Sequence, residues 1–340
     1  MGKVTIYDIA KELNISTATV NRALNNKKGV STQTQEKVLK KAKELGFTVN
    51  RAAKSLARRK IVLDFIIYNR VPAFHDEVIA GVEKAFEDLQ DFNVIGHVHV
   101  FSGMEYMAHK QMLDKMQELL EEQHDGLLLL GTFNINAGRE LLAEFEKRNI
   151  KYAFINGDLA NCNRVFSIRQ NADLAGRLAA ELLYWFAQGK EVAVFTGRPE
   201  FIDHMESLNG FCSECQKRDM HVAAVYENLD DAEFAALNTE RFIQKHPQVG
   251  GLYINTANSA TVCAKLEELG YSGKIKVVSS DLFDKVRYYM QRDVIQATIF
   301  QDPFQQGYMA VQQLYQHIAE GVEPESTLYI QPTVILQINL

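Results

Sequence analysis

A chain of 340 residues, 46% hydrophobic and 24% charged with only 6 Pro and 4 Cys, has room for two or three domains. That composition excludes a disordered, collagen-like or disulfide-stapled protein. The formal charge of -6 hides an asymmetry, because residues 1–60 hold fourteen Lys and Arg against four Asp and Glu, a net of +10, and residues 61–340 carry -16. Such a split is the electrostatic pattern of a nucleic-acid-binding head joined to a body with another task.

The start, MGKVTIYDIAKEL, has no apolar signal core, and no later stretch approaches 18 uninterrupted apolar residues. A soluble, cytoplasmic protein with no membrane partner is expected, associated with the nucleoid if the head binds DNA. Thr5, with Asp8 three residues on, precedes Ile6, Ile9, Ala10 and Leu13 at helical spacing, so a capped helix begins there and stops at Asn14. Ser16, with Thr19 three residues on, opens a second helix whose apolar face is Val20, Ala23 and Leu24. A third runs from about Ser31 to Leu45, with Gly46 as its stop. Two short helices joined by Asn14-Ile15, and a third sharing their apolar face, make a helix-turn-helix head.

A recognition helix needs small polar residues at its start, able to approach base edges, and a long forked donor for guanine. Thr17, Ala18 and Arg22 meet that need. Thr5, Tyr7, Ser16, Thr19, Asn25, Ser31 and Thr34 occupy helix starts or the turn, where hydroxyls and amides can clamp phosphates. The alternative is that the Lys and Arg solvate a surface and the Ser and Thr are plain caps; the concentration of positive charge favours DNA.

VTIYDIAKELNISTATVNRALN, followed by VSTQTQEKVLKKAKELGFTVNRAAKSLA, resembles the DNA-binding head and hinge of the LacI/GalR family of bacterial transcription regulators over residues 3–58. The resemblance implies that Thr17 and Ala18 read bases, that Arg22 reads another, and that Asn21 stands where Ser is commoner. It implies a hinge from Asn50 to Ala57, coil when free and helical when two copies pair on operator DNA. Asn50, Ala53 and Leu56 would make its DNA contacts, with Leu56 as the minor-groove wedge. An apolar side chain between base steps unstacks them and kinks the duplex, which makes that role physically coherent.

From residue 61 apolar runs alternate with helical patterns. IVLDFIIY, NVIGHVHVF, DGLLLLG, KYAFIN, EVAVFTG, GGLYIN and KIKVVSSD read as strands, with amphipathic helices between them. Near-continuous apolar strands alternating with helices mean parallel, doubly wound sheets, and about 280 residues hold two such subdomains. Ligands of these folds sit beyond the carboxyl ends of the strands. The residues there are Asn69, Thr132, Asn156, Asp158, Thr196, Thr256, Asn258, Asp281 and Gln301, with Phe74 and His75 after the first strand. Amides, hydroxyls and carboxylates beside an aromatic ring suit a sugar or polyol, although each strand-end residue could equally be a turn former.

The family resemblance extends, more weakly, over 61–340, to the type I periplasmic sugar-binding fold that serves these regulators as effector sensor. It implies a head at 1–48, a hinge at 49–60, an N-subdomain of about 61–160 plus 299–325, and a C-subdomain of about 161–298 plus 326–340. AFHDEVIAGVE resembles the paired aromatics ahead of a Gly, placing Phe74 on a sugar face with His75 at the second aromatic position. VVSSDL makes Asp281 the carboxylate for sugar hydroxyls, and TIFQDPFQQGY makes Gln301 a contact. Ser207 stands where the family usually has an Arg clamp, and Thr256-Ala257 where it usually has Asn-Asp, with Asn258 close by. Without that Arg, with only His204 or Arg198 as substitutes, a neutral sugar or sugar alcohol is favoured over an anionic ligand.

Cys212 and Cys215 form a CxxC without a second pair at zinc-finger spacing, and read as core cysteines. His97 and His99 share a strand face, but no third ligand lies near them in sequence, so they read as surface residues and no metal is assigned. No cofactor motif is present: there is no GxGxxG, GxxxxGK[ST], GxSxG or HExxH. The expected molecule is therefore no enzyme but a homodimeric repressor on pseudo-palindromic operator DNA, gated by a small sugar or polyol. The alternative is a sugar-binding or sugar-modifying α/β enzyme with an accessory DNA-binding head.

Overall fold

The computed structural model describes residues 4–24, 29–45, 47, 59–130, 135–159 and 161–340. Local caps set the head. Helix α1 (Ile6–Leu13) starts where the Asp8 carboxylate accepts from the Thr5 amide and hydroxyl, each at 2.7 Å, and those bonds hold Asp8 below its ordinary pKa. It ends at Asn14, which takes left-handed geometry at φ 50°. Helix α2 (Thr17–Leu24) begins at Ser16, whose Oγ accepts from the Thr19 amide at 3.1 Å. Helix α3 (Thr32–Glu44) begins at Ser31, whose Oγ accepts from the Thr34 amide at 3.2 Å. Ile9, Ala10, Val20, Ala23, Val38 and Ala42 form the shared core. Burying Ile9, Val20 and Val38 contributes about 1.5–3 kcal/mol each.

The chain divides into two compact units at Arg59–Lys60. The body opens with β1 (Ile61–Tyr68), α4 (Pro72–Leu89), β2 (Val94–Phe101), α5 (Glu105–Glu121), β3 (Gly126–Leu130), α6 (Ile135–Lys147), β4 (Lys151–Ile155) and β5 (Ser167–Gln170). It continues with α7 (Ala172–Ala187), β6 (Val192–Thr196), α8 (Ile202–Lys217), β7 (Val222–Glu227), α9 (Ala232–Lys245), β8 (Gly251–Ile254), α10 (Ser259–Glu268), β9 (Lys276–Ser280), α11 (Asp284–Gln291) and β10 (Ile295–Phe300). Helix α12 (Pro303–Glu320), β11 (Thr327–Ile330) and β12 (Thr333–Leu336) close it.

Two six-stranded sheets result, ordered β11-β5-β4-β3-β1-β2 and β12-β10-β9-β8-β6-β7. The first is parallel throughout, and the second is parallel except where β12 runs against β10. β3 is buried along its whole length, as a strand covered by helices on both faces must be. Strand order reverses beside β1 in one sheet and beside β6 in the other, which puts a ligand crevice at their carboxyl ends.

Three crossings join the sheets, at 170–172, 300–303 and 330–333. They correct the subdomain limits read from sequence. β5 and β11 pair with each other in the first sheet, although 161–298 and 326–340 were expected in the second subdomain, and residues 299–300 belong to β10 of the second sheet. The reason lies in the sequence of β5: Ser-Ile-Arg-Gln has no apolar run, and its buried Ser167 hydroxyl and Arg169 terminal amino groups find their partners outside the strand. Ser167 bonds the Gly157 carbonyl, and Arg169 pairs with Asp203 at 2.7 Å and with Glu206. Because Asp203 and Glu206 sit on α8, Arg169 ties the first sheet to the second subdomain beside the first crossing.

Each subdomain packs one helix pair at close range. A Cβ on Gly81 of α4 would lie 2.0 Å from the Phe304 carbonyl oxygen of α12, and one on Gly307 would lie 2.2 Å from that of Val78. Likewise a Cβ on Gly176 of α7 would lie 1.9 Å from the Ser207 carbonyl oxygen of α8, and one on Gly210 2.2 Å from that of Asp173. Reciprocal glycines let the helix backbones touch, and α4, α8 and α12 all start at the crevice.

Candidate functional site

On the head, Ala18, Asn21 and Arg22 are exposed on one face of α2, and Thr17 is half-buried in its first turn. Tyr7 is 71% exposed on α1, Ser16 and Ser31 are exposed caps, and Thr19 and Thr34 are half-buried beside them. Each capping hydroxyl is in contact with the next: Ser16 with Thr19 at 2.9 Å and Ser31 with Thr34 at 2.8 Å. The head therefore presents small side chains and one guanidinium on α2, framed by hydroxyls at helix starts. Asn25, Asn50, Ala53 and Leu56 lie outside the described residues, as does Thr132 in the body.

In the body, a cavity of about 90 Å³ opens between the two sheets at their carboxyl ends. The first subdomain contributes Arg70, Val71, Phe74, His75, Asn156 and Gln170. The second contributes Phe201, Asp203, His204, Asp230, Asn255, Thr256, Ala257, Ser280 and Asp281, and Gln301 comes from the second crossing. Six residues expected from the sequence meet there: Phe74, His75, Asn156, Thr256, Asp281 and Gln301.

The floor is a chain of polar contacts spanning both halves. The Gln301 amide donates to Asp281 Oδ1 at 2.7 Å, and the Asn156 amide donates to Gln301 Oε1 at 3.4 Å. Asp281 sits at φ 67°, left-handed geometry that a side-chain carboxylate tolerates better than most, and burial pushes its carboxyl up to about 6 while the Gln301 bond pulls the other way. His75 is forced down to about 3 by burial and by the nearby Arg70 charge, so it is neutral. The Val71 amide donates to its Nδ1 at 3.3 Å, which leaves Nε2 as the protonated nitrogen. Asn255 donates to the His204 carbonyl at 3.3 Å, while its buried Oδ1 has no partner among the described residues and can accept from a ligand hydroxyl.

Charge across the cavity is lopsided. Among the described lining residues Arg70 is the sole Lys or Arg, against Asp203, Asp230 and Asp281. It is already engaged, lying 2.9 Å from Asp230 across the cavity and 5.8 Å from the Phe201 ring. A second bridge, Arg198 to Glu105 at 3.3 Å, also joins the two halves.

Comparison with known proteins decides the family. Residues 5–50 match the bacterial regulatory proteins of the lacI family, and residues 62–321 match the periplasmic binding protein domain. The chain belongs to the lacI family. Among similar regulators is a ribose operon repressor of Haemophilus influenzae, 25% identical over 98% of this chain and 97% of that one. Another is catabolite control protein A of Priestia megaterium, 27% identical over 61% of this chain and 60% of that one. A glucose-galactose binding protein of Geobacillus stearothermophilus shares the body's fold, with a TM-score of 0.72 at 20% identity over 83% of this chain and 99% of that one. So does a putative LacI transcriptional regulator of Bacteroides fragilis, with a TM-score of 0.70 at 18% identity over 83% and 98%. DNA binding belongs to the lacI domain, the body is a periplasmic-binding-protein-like domain, and the relatives are named repressors rather than enzymes. No described helix is long and apolar enough to cross a membrane.

In this lacI-family chain four residues expected at the effector site are engaged elsewhere. The Asn69 amide donates to Asp76 at 2.8 Å; Asp158 is paired with Arg164. The Ser207 hydroxyl is buried against the Tyr253 hydroxyl at 2.8 Å, and the Asn258 side chain donates to the Asp231 carbonyl at 3.2 Å. None of the four lines the cavity. Of the two substitutes considered for the missing Arg clamp, His204 lines the cavity and Arg198 bridges to Glu105 instead. The residues missed are Arg70, Gln170, Phe201, Asp203, Asp230, Asn255 and Ser280. Arg70 sits two places beyond a strand that was read and Asn255 ends another, within reach of the strand-end rule; Asp230 follows β7 and Gln170 ends β5, neither of which was read.

The cysteines are core residues as expected. Cys215 is buried, Cys212 packs beside it, and burial pushes the Cys215 thiol up to about 12. His97 and His99 require correction. They are not isolated, because the fold brings His124 and the buried Asp64 against them.

Proposed function

We propose that the chain is a homodimeric repressor of a pseudo-palindromic operator, gated by a small neutral sugar or sugar alcohol bound in the interdomain cavity. The observation that carries the ligand class is the cavity's charge and donor set. Three carboxylates face one guanidinium that is already paired, which disfavours an anion, while amides, hydroxyls and the unpaired Asn255 oxygen suit a ligand made of hydroxyls. Phe74 and Phe201 supply flat apolar faces for its C–H groups. A volume of about 90 Å³ is well under the ~300–1,000 Å³ of sites for drug-sized molecules, which favours a monosaccharide. The relatives' names, a ribose operon repressor among them, point to the same ligand class.

Gating follows from where the contacts lie. Ligand filling the cavity alters the spacing held by Arg70–Asp230 and Arg198–Glu105, and so the angle between subdomains. The hinge at 49–60 would carry that change to the heads, with Leu56 of each copy at the operator centre. Calorimetry on neutral aldoses, ketoses and polyols, each beside its phosphorylated or uronic-acid counterpart, checks the ligand class. A neutral sugar should bind at least about tenfold more tightly than its anionic counterpart, a gap of ~1.4 kcal/mol. Tighter binding of the anion would refute the reading.

For the head, Arg22→Ala should cost about 1–3 kcal/mol on a matching half-site and relax preference at one base position. Binding to unrelated duplex, measured by fluorescence anisotropy across a salt series, should change far less. Equal loss on both would place Arg22 on phosphate rather than on a base.

A further inference from the structure

The first sheet carries a second polar cluster, remote from the cavity, which the function described so far does not use. Asp64 lies in the middle of β1, fully buried in an otherwise apolar strand, and a carboxylate there is costly without a cationic partner. Three imidazoles surround it. β2 runs beside β1 with Asp64 opposite His97, and His97 Nδ1 and His99 Nε2 lie 3.3 Å and 2.8 Å from Asp64 Oδ1. On the other side the loop before β3 brings His124 Nδ1 against Asp64 Oδ2.

His124 is the informative member. Its ring sits between two carboxylates, with Nδ1 on Asp64 and Nε2 3.0 Å from Glu122. A neutral imidazole has one N–H and one lone pair, so one of these contacts would oppose two acceptors. Both are resolved by a proton on Asp64, by a second proton on the ring, or by a metal ion between Nδ1 and Asp64 with Nε2–H donating to Glu122. The last arrangement is the carboxylate–histidine–metal relay in which an outer carboxylate fixes the tautomer of a ligand histidine.

We propose that Asp64, His97 and His124, with His99 or a water as fourth ligand, bind a divalent transition-metal ion of the zinc class. The one-atom donors of Asp64, His97 and His124 lie within 4.8 Å of one another. Neighbouring ligands of a tetrahedral ion with bonds of ~2.0–2.1 Å are about 3.3 Å apart, so small side-chain shifts complete the shell. Imidazole and carboxylate donors select zinc, cobalt or nickel over the hard ions calcium and magnesium. The buried carboxylate and the nearly buried His124 form the floor, and the half-exposed His97 leaves the entry open at edge strand β2. Occupancy would tie that strand to β1 and to the loop before β3.

The test uses the full chain after chelator treatment, titrated with Zn²⁺ against a competing chromophoric chelator and separately with Co²⁺ by absorption. One equivalent per chain is expected, with the intense visible bands of four-coordinate Co²⁺. His97→Gln, at the exposed rim, should weaken Zn²⁺ binding at least about tenfold, and His124→Gln should weaken it further. His221→Gln, which removes an exposed histidine paired with Glu191 elsewhere, should leave it unchanged. Binding should release protons and weaken below the imidazole range. Equal Zn²⁺ affinity in wild type and His97→Gln, or no binding by either, would overturn the assignment. Circular dichroism and retained DNA binding establish that each variant is folded; if His124→Gln is not, His97→Gln alone decides.

Discussion

Replacing Asp281 with Ala is expected to weaken binding of the effector sugar by about 100-fold, or ~3 kcal/mol, in line with the loss of two hydroxyl bonds to a charged acceptor. The carboxylate is buried at the carboxyl end of β9, its backbone set at φ 67°, and its Oδ1 held by the Gln301 amide, so it is pre-placed and loses little freedom when ligand arrives. Its titration gives a sharper readout. Burial raises the carboxyl to about 6, and hydroxyls that donate into it favour the ionised form. Sugar affinity should therefore be flat above about pH 7 and fall by up to about tenfold per unit as pH drops through 6. Asp281→Asn should remove that slope.

The sign for stability is opposite. A carboxyl raised above its unfolded value of 3.8 binds its proton more tightly in the folded protein, so its unfavourable contribution grows as pH rises from about 4 through 6. At pH 7 Asp281→Asn should be more stable than wild type by about 1–3 kcal/mol while binding sugar less well. Calorimetry and urea unfolding across pH 5–8 check both. A variant that loses stability at pH 7 and keeps full sugar affinity would contradict the role assigned to Asp281.

Gly176→Ala is expected to destabilise the chain by about 3 kcal/mol, at the upper end for overpacking, because the added methyl must displace helix backbone and not a flexible side chain. The Cβ would lie 1.9 Å from the Ser207 carbonyl oxygen, and Gly210 makes the reciprocal contact, so neither helix can shift alone. Helix α8 also carries Asp203 and His204 to the cavity and Glu206 to Arg169, so forcing it away from α7 should weaken sugar binding as well. Gly81→Ala, 2.0 Å from the Phe304 carbonyl oxygen, should behave alike in the first subdomain. Urea unfolding resolves the change, and a loss below about 1 kcal/mol would mean that the helix pair yields.

How much was legible in the sequence depended on whether a structure is set locally. The head was readable nearly to the residue, because Thr5, Ser16 and Ser31 cap helices within three positions and the apolar spacing is short-range. Strands buried on both faces, such as Gly126–Leu130, announced themselves as apolar runs. β5 and the half-exposed β7 did not, since one is polar and satisfied by distant partners and the other is an edge. In the cavity, the strand-end rule found the neighbourhood but not the direction of each side chain. Asn69 and Asp158 are engaged by partners within seven residues, whereas Asn258 is engaged by the distant Asp231 carbonyl and Ser207 by Tyr253 from β8. The cluster around Asp64 was invisible for the same reason: His97, His99 and His124 meet only when β1, β2 and β3 lie side by side.

A closed thermodynamic cycle decides whether cavity and operator are coupled. Operator affinity should be measured with and without the best sugar of the panel, and sugar affinity with and without operator, for wild type and Asp281→Ala. Linkage requires the two factors to be equal, and a coupling of about 1–3 kcal/mol, or 5–150-fold, is expected in wild type. Asp281→Ala should bind operator normally and lose the response at the same sugar concentration. Operator and sugar affinities that stay independent in wild type would mean that the cavity does not gate DNA binding.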